Sequence, residues 1–129
     1  MIEENKNGKK VVLVVEDDLL LVQAYKIKLE KEGMETWVAT SGKEAVAFLE
    51  KDPPNVVLLD LLLPGLNGFE FLSAIRKNEK WKSVPVIILT NLTQSEENLK
   101  IAKDLGAVDY IVKAEIRIGD IIEKVKKYI

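Results

Sequence analysis

Short apolar runs alternate with longer stretches of helical spacing along nearly the whole chain, and no other feature constrains the fold as much. Residues 11–15, 56–59 and 86–89 are β-branched or Leu runs that read as buried strands, with 36–39 and 110–112 as shorter ones. Between them, apolar residues recur at helical intervals. Leu21, Val22, Tyr25, Lys28 and Leu29 mark the first such stretch, and Ala45, Phe48 and Leu49 the second. Phe69, Leu72, Ile75 and Arg76 follow the third strand; Leu99, Ala102 and Leu105 follow the fourth. Ile121, Ile122, Val125 and Ile129 close the chain. Five strand–helix units with continuously apolar strands imply a parallel sheet covered on both faces. Right-handed crossovers then make a doubly wound α/β/α sandwich of flavodoxin-like type, because a closed barrel needs eight such units.

Local signals place the element ends. Ser41 and Glu44 form a capping-box pattern ahead of the second helix. Asp18 and Asn67 suit helix caps, and Gly106 a helix stop. Pro64 and Gly65 suit a turn. The fourth helix is expected to begin near Ser95 and the fifth near Asp120, and Trp37 and Trp81 are expected at a partly exposed edge. Residues 1–9 read as a flexible polar tail and 10–129 as one domain, with neither a signal peptide nor a membrane span. A cytoplasmic location is expected.

Composition matters mainly through what is missing. With no Cys and no His among 129 residues, disulfides, thiolate nucleophiles, an imidazole base and zinc-type ligand sets are excluded. A net charge of −2 leaves no footprint for direct nucleic-acid binding. Acid–base or metal chemistry must come from carboxylates, hydroxyls, Lys or Tyr, and any metal would be a hard cation.

The strands end on such groups. Glu16, Asp17 and Asp18 follow the first, Asp60 the third, Thr90 the fourth and Lys113 the fifth. Ligands of doubly wound sheets bind outside these carboxyl ends. Taken singly, each residue has a plain structural role: Asp60 paired with Lys113, the acids capping a helix, Thr90 a β-former. Converging carboxylates, however, repel one another unless a cation lies among them, and Mg²⁺ favours such oxygen ligands. A carboxylate can also attack phosphorus, with Mg²⁺, Lys and Thr available to stabilise the phosphoryl oxygens.

The stretches Val14-Val-Glu-Asp-Asp18, Asp60-Leu-Leu-Leu-Pro-Gly-Leu-Asn-Gly68, Ile88-Leu-Thr90 and Gly106-Ala-Val-Asp-Tyr-Ile-Val-Lys113 together resemble a response-regulator receiver domain. The likeness is to the single-domain chemotaxis regulator type. It implies Asp60 as phosphoacceptor, with Asp17 as a direct Mg²⁺ ligand, Glu16 acting largely through water, and the Leu62 carbonyl as a further metal oxygen. It implies Thr90 and Lys113 as phosphoryl contacts and Tyr110 as an aromatic switch partner of Thr90. The implied phosphoryl donor is a histidine kinase or histidine-phosphotransfer protein. The implied output surface is the face of the fourth helix, fifth strand and fifth helix, on a monomer or weak phosphorylation-dependent dimer. No turnover substrate is expected, and a constitutive, phosphorylation-independent binding module on the same fold is the competing reading.

Two departures from the family carry expectations. Ala114 follows Lys113 where Pro with a cis peptide bond is usual, so the bond is either cis under strain or trans with Lys113 displaced. Asn91, Leu62 and Leu92 stand where they would restrict access to the phosphoryl site, which predicts a long-lived aspartyl-phosphate.

Overall fold

Five strands and five helices alternate in the computed structural model, which describes residues 8–91, 96–114 and 116–129. The order is β1 (Val11–Val15), α1 (Leu19–Lys31), β2 (Glu35–Ala39), α2 (Gly42–Phe48), β3 (Val56–Asp60), α3 (Gly68–Lys77), β4 (Val86–Thr90), α4 (Glu96–Asp104), β5 (Asp109–Val112) and α5 (Ile118–Tyr128). The strands form one parallel sheet in the order β2-β1-β3-β4-β5. This is the flavodoxin-like sandwich expected from the alternation of apolar runs.

The period of two along each strand divides the core into two layers. Val11, Leu13 and Val15 of β1 face a cluster with Ala45, Phe48, Phe71, Leu72 and Ile75 of α2 and α3. Val12 and Val14 face the opposite cluster, with Val22, Tyr25 and Leu29 of α1 and Ile121, Ile122 and Val125 of α5. β1, β3 and β4 are buried along their whole length, as strands covered on both faces must be.

The caps form largely as expected. Asp18 accepts from the Leu20 and Leu21 amides, and Asn67 from those of Phe69 and Glu70. Ser41 Oγ accepts from the Glu44 amide, but the Glu44 carboxylate binds the amide and hydroxyl of Thr40, one residue before the cap. Gly106 ends the α4 turn at φ 99°. α5 begins at Ile118 rather than near Asp120. Ser95, expected at the start of α4, lies outside the described residues.

Both tryptophans overturn the expectation of an exposed edge. Trp37 is buried in β2, stacked on Phe48 at 5.8 Å between ring centres, with Nε1 donating to Glu35 at 2.7 Å. Trp81, in the loop before β4, is completely buried, and its Nε1 donates to the Lys51 carbonyl at 2.8 Å. In each case the indole N–H finds an acceptor, which makes burial of the ring favourable.

Candidate functional site

β2 and β3 flank β1 on opposite sides, so the chain changes winding direction there and opens a crevice at the strands' carboxyl ends. Glu16 and Asp17 leave β1 at this point, and Asp60 is the last residue of β3. Carboxylate oxygens from the three lie within 4.8 Å of one another. Glu16 and Asp60 are buried, whereas Asp17 is exposed at the mouth.

Lys113, immediately after β5, reaches across the end of β4 into this pocket. Its ammonium is 2.9 Å from Asp60 Oδ2 and 2.5 Å from Glu16 Oε1. No cis peptide bond occurs among the described residues, so the Lys113–Ala114 bond is trans and the amine still arrives. Asp60 Oδ1 accepts from the Leu62 amide at 2.9 Å.

The electrostatics follow from this crowding. Burial raises the Glu16 carboxyl above its ordinary range, and the neighbouring Asp60 charge adds to the rise; Lys113 and the Asp18 amide only partly oppose it. Burial alone would depress the Lys113 ammonium, but Glu16 and Asp60 together hold it above its usual value. One ammonium thus serves the two buried acids, Glu16 and Asp60, while the Asp17 carboxylate stands beside them without a share in it. An oxygen-only donor set short of positive charge fits a hard divalent cation.

Thr90, the last residue of β4, is buried, with its hydroxyl donating to the Asn91 carbonyl at 3.0 Å. Tyr110 of β5 is half exposed and lines a groove of about 440 Å³ with Ile88, Leu99 and Lys103. Asn91 is exposed and Leu62 projects into solvent at the pocket mouth; Leu92 lies outside the described residues. Sequence reasoning placed Arg76 in the third helix but missed the role of its guanidinium, which donates to the carbonyls of Lys82, Val84 and Gly106. It also missed the backbone contact between Gly42 and the turn after β3.

Residues 12–126 match the response regulator receiver domain family. The chain belongs to that family. As a receiver domain it is a module of two-component signalling rather than a turnover enzyme. It is 36% identical over 103 residues to protein PilH of Pseudomonas aeruginosa, covering 79% of this chain and 84% of that one. The transcriptional regulatory protein KdpE of Mycobacterium tuberculosis is also 36% identical over 103 residues, but the receiver domain spans only 44% of its length. Among solved structures, a CheY-like receiver domain protein from Methanospirillum hungatei superposes with a TM-score of 0.84 at 32% identity, covering 93% of each chain. The Mn²⁺-bound form of response regulator Rcp1 superposes with a TM-score of 0.77 at 29% identity, covering 92% of this chain and 90% of that one. No helix among the described residues of the receiver domain is long and apolar enough to cross a membrane.

Proposed function

We propose that this receiver domain accepts a phosphoryl group on Asp60 from a phosphohistidine of a partner kinase or phosphotransfer protein, and that it acts as a stand-alone switch. The observation that carries the reading is the meeting of Asp60 with Glu16, Asp17 and Lys113 at the winding switch of the sheet. The unit performing this is residues 10–129, preceded by a polar tail. Similarity over most of PilH supports the stand-alone form.

In the proposed reaction an Asp60 carboxylate oxygen forms a bond to phosphorus as the bond from phosphorus to the donor imidazole breaks. Lys113, already beside Asp60, neutralises charge on the phosphoryl oxygens. Glu16, Asp17, Asp60 and the Leu62 carbonyl would hold Mg²⁺, which supplies electrostatic stabilisation of the transferring group. The Mn²⁺-bound relative and the shortage of cationic charge in the pocket support that assignment.

The Thr90 hydroxyl then exchanges the Asn91 carbonyl for a phosphoryl oxygen. This frees space into which Tyr110 turns from its half-exposed position, remodelling the α4–β5–α5 face read by an output protein. A local charge event thereby biases a two-state surface.

The test is intact-protein mass after incubation with acetyl phosphate and Mg²⁺. One phosphoryl group is expected, stable in acid and labile in alkali, and absent both from Asp60→Ala and without metal. No gain with acetyl phosphate or with a phosphorylated histidine kinase would favour the constitutive binding module instead.

A further inference from the structure

We infer that Gly42, at the start of α2, is a positioning residue for the metal-facing loop that follows β3. The inference rests on the reading that this loop offers the Leu62 carbonyl to a divalent cation. α2 contributes no side chain to the acidic pocket, so its part would be wholly indirect.

The loop is a stiff piece of chain. Leu63-Pro64-Gly65-Leu66 makes a turn closed by the Leu66 amide donating to the Leu63 carbonyl at 3.1 Å. Pro64 restricts φ at its second position, and Gly65 takes φ 73° at its third, a pairing suited to a type II turn. Leu61 and Leu63 anchor it in the core, while Leu62 stands exposed between them. At the near end the Leu62 amide is tied to Asp60, which the sheet holds in place.

Two glycines seat this loop by bare backbone contact. A Cβ on Gly68 would stand 2.7 Å from Leu61 Cδ2 and 2.8 Å from Leu61 Cα. A Cβ on Gly42 would overlap the Gly65 carbonyl oxygen and stand 2.9 Å from its carbon and 3.0 Å from Leu66 Cβ. Gly42 is buried, and the atoms it meets are mainly backbone, so no flexible side chain can swing aside. Gly68 lies in the same loop-to-helix segment, but Gly42 comes from a separate element. The α2 N-terminus therefore sets how far the turn may lie from the sheet.

A methyl group at position 42 must push the turn away as a body. With Asp60 fixed in the sheet, the displacement falls on residues 61–63, which include the Leu62 amide and carbonyl. Metal binding then weakens although every ligand-bearing residue is still present, as happens when supports behind a metal site are disturbed.

Mn²⁺ binding, followed by water-proton relaxation on the full chain, tests this together with far-UV circular dichroism and thermal unfolding. Gly42→Ala is expected to raise the Mn²⁺ dissociation constant by about tenfold while the helix and sheet signal stays. Ala45→Gly, which loosens buried α2 packing without touching the loop, is expected to lower the melting temperature and leave Mn²⁺ affinity unchanged. Unchanged affinity in Gly42→Ala, or equal weakening in Ala45→Gly, overturns the positioning role while leaving the phosphoacceptor reading intact. Failure of the unmutated protein to bind Mn²⁺ overturns both. Should Gly42→Ala not fold, Mg²⁺ titration of the unmutated protein by amide NMR decides: shifts at Gly42 and Gly65 accompanying those at Asp60 and Leu62 are expected, and silent glycines overturn the inference.

Discussion

Lys113 Nζ stands 2.9 Å from Asp60 Oδ2, joining two residues 53 positions apart at the ends of β5 and β3. The same ammonium faces Glu16 Oε1, so it is shared between two buried acids. Replacing it with Met removes the only cation that the pocket geometry supplies among the described residues. Lys113→Met is expected to destabilise the metal-free protein by about 1–3 kcal/mol, the cost of leaving a buried polar partner unsatisfied. Mg²⁺ should recover more stability in the variant than in the unmutated protein, because cation and ammonium compensate the same charge. Denaturant unfolding with and without Mg²⁺ checks both statements; equal Mg²⁺ stabilisation of the two proteins would refute the second.

Thr90 and Tyr110 sit on adjacent strands, the first buried with its hydroxyl on the Asn91 carbonyl and the second half exposed. Thr90→Ala should still be phosphorylated on Asp60 but lose the accompanying change at Tyr110. Amide NMR before and after acetyl phosphate treatment shows this as a Tyr110 shift present in the unmutated protein and missing from the variant. A full Tyr110 shift in Thr90→Ala would sink the coupling.

Leu62 is 56% exposed beside the acid whose phosphoryl group it would guard. An apolar side chain there gives an attacking water no hydrogen bond, so the aspartyl-phosphate should be long-lived. Leu62→Asn supplies an amide that can hold water and should shorten the half-life several-fold. The check is phosphoprotein decay by mass after excess acetyl phosphate is removed, with unchanged decay counting against the proposed role.

Much of this site could be read from where apolar runs stop. Asp60 and Thr90 end β3 and β4, and Glu16 directly follows β1, so strand period and parallel topology alone bring them to one edge. Trp37 and Trp81 were misplaced for a physical reason. Large amphipathic rings suit partly exposed positions in general, and only tertiary structure supplies the Glu35 and Lys51 oxygens that satisfy their N–H groups. The Gly42–Gly65 approach is likewise illegible locally, since Gly42 reads as an ordinary residue after a capping Ser. Lys113 could be placed at the right edge, but whether its long stem reached the acids depended on a trans Lys113–Ala114 bond that sequence left open.

Tyr25 of α1 is buried, and its phenol is pushed up to about 12, first by burial and then by the negative charge of Glu16. An unfolded phenol titrates near 10. Because the folded pKa is the higher one, the stabilisation is complete below about pH 10 and is lost as pH rises toward about 12. Tyr25→Phe should therefore flatten the alkaline limb of the stability profile between those values, by on the order of 2 kcal/mol. Denaturant unfolding across that range, with phenolate absorbance followed in parallel, gives the measurement. An identical alkaline limb in both proteins would exclude Tyr25 as its source.

Arg76 near the end of α3 donates to Val84 O at 2.7 Å and Gly106 O at 2.6 Å, with Lys82 O at 3.2 Å. It ties α3 to the segment before β4 and to the turn between α4 and β5, three places with little else in common. Burial lowers its guanidinium below the ordinary value, yet it stays charged because the group ionises so far above neutrality. Arg76→Ala leaves these carbonyls short of a donor and opens space beside Gly106, so a loss of about 2–3 kcal/mol is expected. Lys cannot reproduce the planar fork and should recover only part of that loss. Amide exchange at Gly106 and Ala107 should accelerate in Arg76→Ala well beyond exchange at the distant Ala39. Uniform acceleration across the sheet would instead mean that Arg76 supports global stability without holding the α4–β5 turn.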